Sequence, residues 1–163
     1  MNDSHEIIKL YDTYKNKVYR LALSYLKNTQ DAEDVVQVVF LKLIDNRANI
    51  IHGKEQALIT QITINHCKDI LRSFWRKNKT ELNFDISSES EDFENDEQQI
   101  ILNAVIGLST KYRIAVYLHY YDGYTFSEIA KFLNISPSAV SMRIHRARKI
   151  LKKELGGLYY DEL

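Results

Sequence analysis

Pro137 is the only proline among 163 residues, and only five glycines accompany it. Proline breaks helix interiors, and clusters of proline and glycine mark the turns that strand-rich folds need. A chain this poor in both has few places to stop a helix, so the expected fold class is all-α. Hydrophobic residues make up 45% of the chain, an ordinary share for a globular protein and too high for a disordered one. The length admits one ordinary domain or two small ones.

Formal net charge is zero, with 22 basic and 22 acidic residues, but the signs are segregated. Residues 68–79, KDILRSFWRKNK, are basic with one acid. Residues 81–97, ELNFDISSESEDFENDE, hold eight acids and no base. From Ser136 to Lys153 there are six Lys/Arg, one His and no acid. A partner meets blocks of charge, not the sum, so zero net charge does not argue against nucleic acid.

The single Cys67 rules out a disulfide framework and a cysteine-based zinc module. His5, His52, His66, His119 and His145 show no pair at ligand spacing on one helix face. No metal site, cofactor or catalytic constellation is expected, which argues against an enzyme. The N-terminus lacks a cationic apolar leader, and no apolar run approaches membrane-spanning length. The cytoplasm is the expected compartment, without membrane insertion.

Ile7, Tyr11, Tyr14, Val18, Ala22 and Tyr25 recur at three- and four-residue steps and predict a helix over Glu6 to Leu26. KNTQ interrupts it, and DAED opens a second helix with an acidic first turn suited to the helix dipole. That helix is apolar on two stripes. Val35, Val39 and Leu43 face a core, and Val36, Phe40 and Ile44 need a second neighbour, within the fold or on another protein. A third helix is expected from Glu55 to Lys77. Ile59, Cys67, Ile70 and Phe74 lie on one side. Lys54, Gln61, Asn65, Lys68, Arg72, Arg76 and Lys79 form a stripe near the other. Amides beside cations suit bases and phosphates, although a solvated face has a similar look.

Residues 80–98 lack periodicity and are rich in acid and serine, so they are expected to be a linker spanning roughly 25 Å. Beyond it, Ile100, Ile101, Ala104 and Val105 carry a helix near 98–107, and Ile114, Tyr117 and Leu118 carry one over Thr110 to Tyr121. Thr125 and Glu128 then form a capping box for a helix burying Phe126, Ile129, Ala130 and Leu133. Asn134 suits the left-handed residue that ends it. Ser136 caps the next helix, with Pro137 at its first position. Two helices across a three-residue turn predict a helix-turn-helix.

The second helix of that pair holds itself down with Val140, Ile144, Ala147 and Leu151. Ser138, Ser141, Met142, His145, Arg146 and Lys149 face away, and Arg143 and Arg148 sit at the margins of the stripe. Short polar residues followed by cations suit insertion into a DNA major groove.

In YDTYKNKVYRLALSYLKNTQDAEDVVQVVFLKLI the sequence resembles region 2 of the extracytoplasmic-function (group IV) sigma factors of bacterial RNA polymerase. LITQITINHCKDILR is similar to that family's promoter-reading helix, with Asn65, Asp69 and Arg72 at the characteristic spacing. LSTKYRIAVYLHYYDGYTFSEIAKFLNISPSAVSMRIHRARKIL is similar to region 4. The departures are local. Leu108 is followed by Ser109 where proline is common, Asn134 replaces a glycine, Ala57 stands where an aromatic residue is frequent, and Gln37-Val38-Val39-Phe40 lacks the usual acid.

The resemblance implies region 2 at 1–79, a linker at 80–98, region 4 at 99–155 and a tail at 156–163. It implies a protein that binds core RNA polymerase and directs promoter-specific initiation. Asp31, Glu33, Asp34, Gln37 and Phe40 would contact the polymerase clamp. Gln61, Asn65, Lys68, Arg72 and Arg76 would hold the −10 element, while the loop Asn46 to Lys54 captures an unstacked non-template base. Ser138, Ser141, Met142, Arg143, His145, Arg146, Arg148 and Lys149 would read the −35 duplex. Family habit adds an anti-sigma factor as a partner. The acidic linker is expected either to fold onto the basic faces in the free protein or to serve as a plain spacer. The alternative function is a stand-alone helix-turn-helix regulator.

Overall fold

The computed structural model describes residues 2–77 and 96–156, and these parts belong to two separate compact units. Most of the expected linker, Lys79 and the C-terminal tail from residue 157 lie outside the described residues. Helices and turns account for the rest, with no strand among the described residues.

The first unit is a bundle of three helices: α1 (Asn2–Leu26), α2 (Thr29–Asp45) and α3 (Glu55–Lys77). Lys27 adopts a left-handed φ of 52° and stops α1. Asn28 then caps α2, its side-chain oxygen accepting from Asp31 N at 2.9 Å. A two-residue connection leaves α2 no course but back along α1. Val18, Leu21 and Ala22 from α1, Val35, Val39 and Leu43 from α2, and Ile59, Ile64 and Cys67 from α3 form the core. Burial pushes the Cys67 thiol up to about 12, so it is an inert packing residue.

The second apolar stripe of α2 is mostly answered within the unit. Val36 and Phe40 are buried, with Tyr11 of α1 meeting the Phe40 ring edge-on at 5.0 Å and 72°. Ile44 stays 39% exposed and Leu41 62%.

The second unit contains α4 (Asp96–Ile106), α5 (Thr110–Val116), α6 (Phe126–Leu133) and α7 (Pro137–Glu154). The expected single helix over Thr110 to Tyr121 widens into a π turn at Tyr117–Tyr121, where Asp122 N donates to Tyr117 O at 3.2 Å. The wider turn keeps Tyr117 and Leu118 buried and stacks the Tyr117 and Tyr121 rings at 5.5 Å. It also aligns Tyr124 N with Leu118 O (3.0 Å) and His119 Nδ1 with the Tyr124 carbonyl (2.9 Å), which closes the path to α6. Gly123, at φ 74°, permits the reversal.

Two details differ from expectation. α4 begins at Asp96, inside the stretch read as linker. Phe126 is only half-buried, against His119, and Phe132 is the ring that enters the core beside Tyr124. Arg113 is the charged residue of that core, and it holds the end of α4: Nη1 donates to Leu108 O at 2.6 Å and Ile106 O at 3.3 Å.

Candidate nucleic-acid interface

The aim of α7 is set by the residues before it. Thr125 Oγ1 accepts from Glu128 N at 3.2 Å while Glu128 Oε1 accepts from Thr125 N at 3.1 Å, completing the capping box of α6. Asn134 has φ 55° and ψ 48°, and Ile135 N reaches back to Ala130 O at 3.0 Å. That six-to-one bond is the Schellman closure of a helix. Ser136 Oγ then accepts from Ala139 N at 3.0 Å, and Pro137 starts α7.

Along α7 the two faces separate cleanly. Val140, Ile144, Ala147 and Leu151 are all buried. Ser138, Ser141, Met142, His145, Arg146 and Lys149 are all exposed, and Arg143 and Arg148 are half-buried at the margins. A narrow apolar seam thus anchors a helix whose polar tip and cationic body both project.

On α3 the opposite faces also separate. Asn65, Arg72 and Arg76 are exposed, and Gln61 and Lys68 are half-exposed. Gln61 Nε2 donates to Asn65 Oδ1 at 2.9 Å, which prearranges two amides side by side. Arg72 meets Asp69 at 3.3 Å with both side chains more than 60% exposed, a pair too solvated to hold the guanidinium tightly. At the rear of the stripe His66 Nδ1 accepts from Lys42 Nζ at 3.3 Å, tying α3 to α2. Burial first and the Lys42 ammonium second push His66 below its ordinary value, with Asp69 opposing.

The loop before α3 contains a 3₁₀ turn (Arg47–Asn49) and Gly53 at φ 88°. Glu55 Oε1 accepts from Gly53 N at 3.0 Å and faces His52 Nδ1 at 3.4 Å. Backbone hydrogen bonds, its own and that of Gly53, hold its carboxyl below the usual value. The loop borders a cleft of about 310 Å³ lined by Glu6, Ile7, Arg47, Ala48 and Ile50.

On α2, Asp31, Glu33, Asp34 and Gln37 are exposed, whereas Phe40 is 5% exposed beneath Tyr11. Leu41 and Ile44 are the exposed apolar residues of this helix, and sequence reasoning passed over Leu41 because it matched neither stripe. Trp75 was passed over too. At 56% exposure it extends the series Gln61, Asn65, Lys68, Arg72 by a further step of three, a spacing visible in the sequence.

These two units match known protein families. The family profile "Sigma-70 region 2" matches residues 10–77, and "Sigma-70, region 4" matches residues 98–151. The chain is 32% identical over 148 residues to the RNA polymerase sigma factor SigZ of Bacillus subtilis, covering 86% of this chain and 82% of that protein. It belongs to the sigma-70 family, in the extracytoplasmic-function group. The ECF RNA polymerase sigma factor SigW of Bacillus subtilis is 28% identical over 96% of this chain and 92% of its own. The fold is also that of the sigma factor RpoE, solved in complex with the anti-sigma factor NepR from Bartonella quintana. TM-score there is 0.78 at 19% identity, over 95% of this chain and 97% of that one.

The protein is therefore a sigma factor that directs RNA polymerase to promoters, with core polymerase and promoter DNA as its partners. Sigma factors are regulatory proteins, not enzymes. A stand-alone helix-turn-helix regulator is not favoured, since region 2 would then have no purpose. No helix among the described residues is long and apolar enough to cross a membrane, and none of their His, Cys, Asp or Glu cluster as a metal site.

Proposed function

We propose a division of labour residue by residue. α7 enters the major groove of the −35 element, with Ser138, Ser141, Met142, His145 and Arg146 at base edges and Arg143, Arg148 and Lys149 on phosphates. Gln61, Asn65, Lys68, Arg72 and Arg76 of α3 hold the −10 element, and the loop 46–54 takes an unstacked non-template base. Asp31, Glu33, Asp34 and Gln37 dock on the polymerase clamp together with Leu41 and Ile44. Phe40 supports that face from beneath. The protein adds no chemistry of its own and acts in the cytoplasm, where the polymerase performs catalysis. An anti-sigma factor covering these surfaces is a natural regulator, by analogy with the RpoE–NepR complex.

The observation that carries the reading is the division of α7 into a buried apolar seam and an exposed, mainly polar and cationic face. Extruding a base costs a few kcal/mol, which the cationic stripe of α3 and the adjoining cleft are suited to offset. The test is reconstitution with core polymerase on genomic DNA, with transcript starts mapped. Promoter-specific starts are expected. Arg146→Ala should shift preference among −35 sequences, and Arg148→Ala should weaken all sequences alike and lower the salt slope by about one. Specific binding without polymerase, or starts indifferent to both substitutions, would refute the assignment.

A further inference from the structure

Met142 is 50% exposed in the second turn of α7, on the face that carries Ser138, Ser141, His145 and Arg146. The seam that holds α7 to its unit is complete without it, since Val140, Ile144, Ala147 and Leu151 are all buried. An apolar side chain among hydroxyls and cations is out of keeping with its neighbours. Ser138 and Arg146 stand four residues to either side and His145 three beyond, so all three border it on the helix surface. The other large exposed apolar residue of α7, Ile150, lies more than two turns further on, away from the polar tip.

We propose that Met142 makes this chain selective for a thymine in the −35 element, its side chain packing against the C5-methyl group of that base. The inference rests on the reading of α7 as the −35 helix and adds a base identity to it. The major groove presents hydrogen-bond donors, acceptors and one apolar group, the thymine methyl. Ser, His and Arg side chains can each serve the polar edges. A thioether has no donor and is only a weak acceptor, so the methyl is the one groove feature that it matches. Three rotatable bonds and a polarizable sulfur let the side chain follow that methyl. Cytosine offers an amino group and no methyl, and so leaves Met142 without a partner.

The test uses polymerase holoenzyme assembled with the full chain. Its affinity is measured for duplex promoter probes in which each thymine of the −35 element, on either strand, is replaced in turn by deoxyuridine. Uracil differs from thymine only in lacking the methyl group. Wild-type affinity should fall about fourfold at one of these positions, the worth of one buried methyl. Met142→Ser should bind the thymine and uracil probes equally there. The comparison is made within each protein, so a general loss of affinity does not imitate it. A −35 element with no thymine of this kind, or a preference that persists in Met142→Ser, would overturn the proposal. Arg148→Ala separates the two levels. If it leaves affinity for every probe unchanged, the reading of α7 falls. If it weakens every probe while Met142→Ser keeps the preference for thymine, the methyl contact alone falls.

Discussion

Replacing Arg113 by methionine tests how the region 4 unit is held together. The side chain is 3% exposed and donates to the Leu108 carbonyl at 2.6 Å, the Ile106 carbonyl at 3.3 Å and Thr110 Oγ1 at 3.3 Å. It thereby satisfies the Ile106 carbonyl at the C-terminus of α4, where a cation also complements the helix dipole, and the Leu108 carbonyl just beyond it. Methionine keeps most of the volume and removes every donor. A buried carbonyl left unpaired costs ~1–3 kcal/mol, and the Leu108 contact is the shorter and more buried of the two. Removing the guanidinium also removes its desolvation cost, which depresses its pKa to about 10. We therefore expect a net loss of about 2 kcal/mol, on the order of 10 °C in a melt of a unit this size. Hydrogen exchange on the full chain isolates the effect. Amides in α5 and α7 should exchange roughly 30-fold faster, and those in α1–α3 should not change. Because the group is charged throughout neutral pH, the loss should be the same at pH 6 and pH 9. Equal or greater stability in Arg113→Met would refute the reasoning and show desolvation outweighing the bonds, as in some buried ion pairs.

Thr125→Ala should destabilise the same unit by ~1 kcal/mol through loss of the capping box, measured by chemical denaturation. At Asn134, glycine should be tolerated and valine should cost ~1–2 kcal/mol, because only the latter resists φ 55°. His66 makes the first unit pH-dependent. Its folded pKa lies below the ordinary 6.5, so the unfolded chain binds the extra proton. Stability from this group is complete above about pH 6.5 and declines as pH falls toward the folded value. His66→Gln should flatten the difference between melts at pH 7.5 and 5.5. Leu41→Glu should reduce core-polymerase binding in a pull-down while leaving the thermal melt of the free protein unchanged, since Leu41 is 62% exposed.

The helix-turn-helix was legible because its signals are local. Thr125 with Glu128, Asn134, and Ser136 before Pro137 each dictate backbone geometry within a few residues, and all three appear as read. The bounds of α3 were legible for a similar reason, the turn-prone stretch before it and the long amphipathic run after. Arg113 was invisible because its partners are carbonyls, which every residue possesses. The π turn was equally hidden: YLHYY has ordinary helical spacing, and only the later pairing of Tyr124 with Leu118 and His119 favours the extra residue. Whether Phe40 meets the fold or another protein was not legible from α2 alone, because its cover, Tyr11, comes from another helix.

The units differ in how function is laid over the core, and this shapes what each can change. In α7 the buried seam is complete without any exposed residue, so Ser141, Met142, His145 and Arg146 can be exchanged with little effect on folding. If these residues read the −35 element as proposed, promoter preference there is free to drift. In α2 the proposed docking face rests on Val36 and Phe40, and Phe40 is in turn closed by Tyr11. A change beneath that face alters packing between α1 and α2 as well as the surface above. Substitutions at Tyr11 and Phe40 share one contact, so their effects should be non-additive. Those at Ser141 and Leu41, which share none, should simply add. The proposed docking face is thus tied to the fold of its unit, and the proposed −35-reading face of α7 is not.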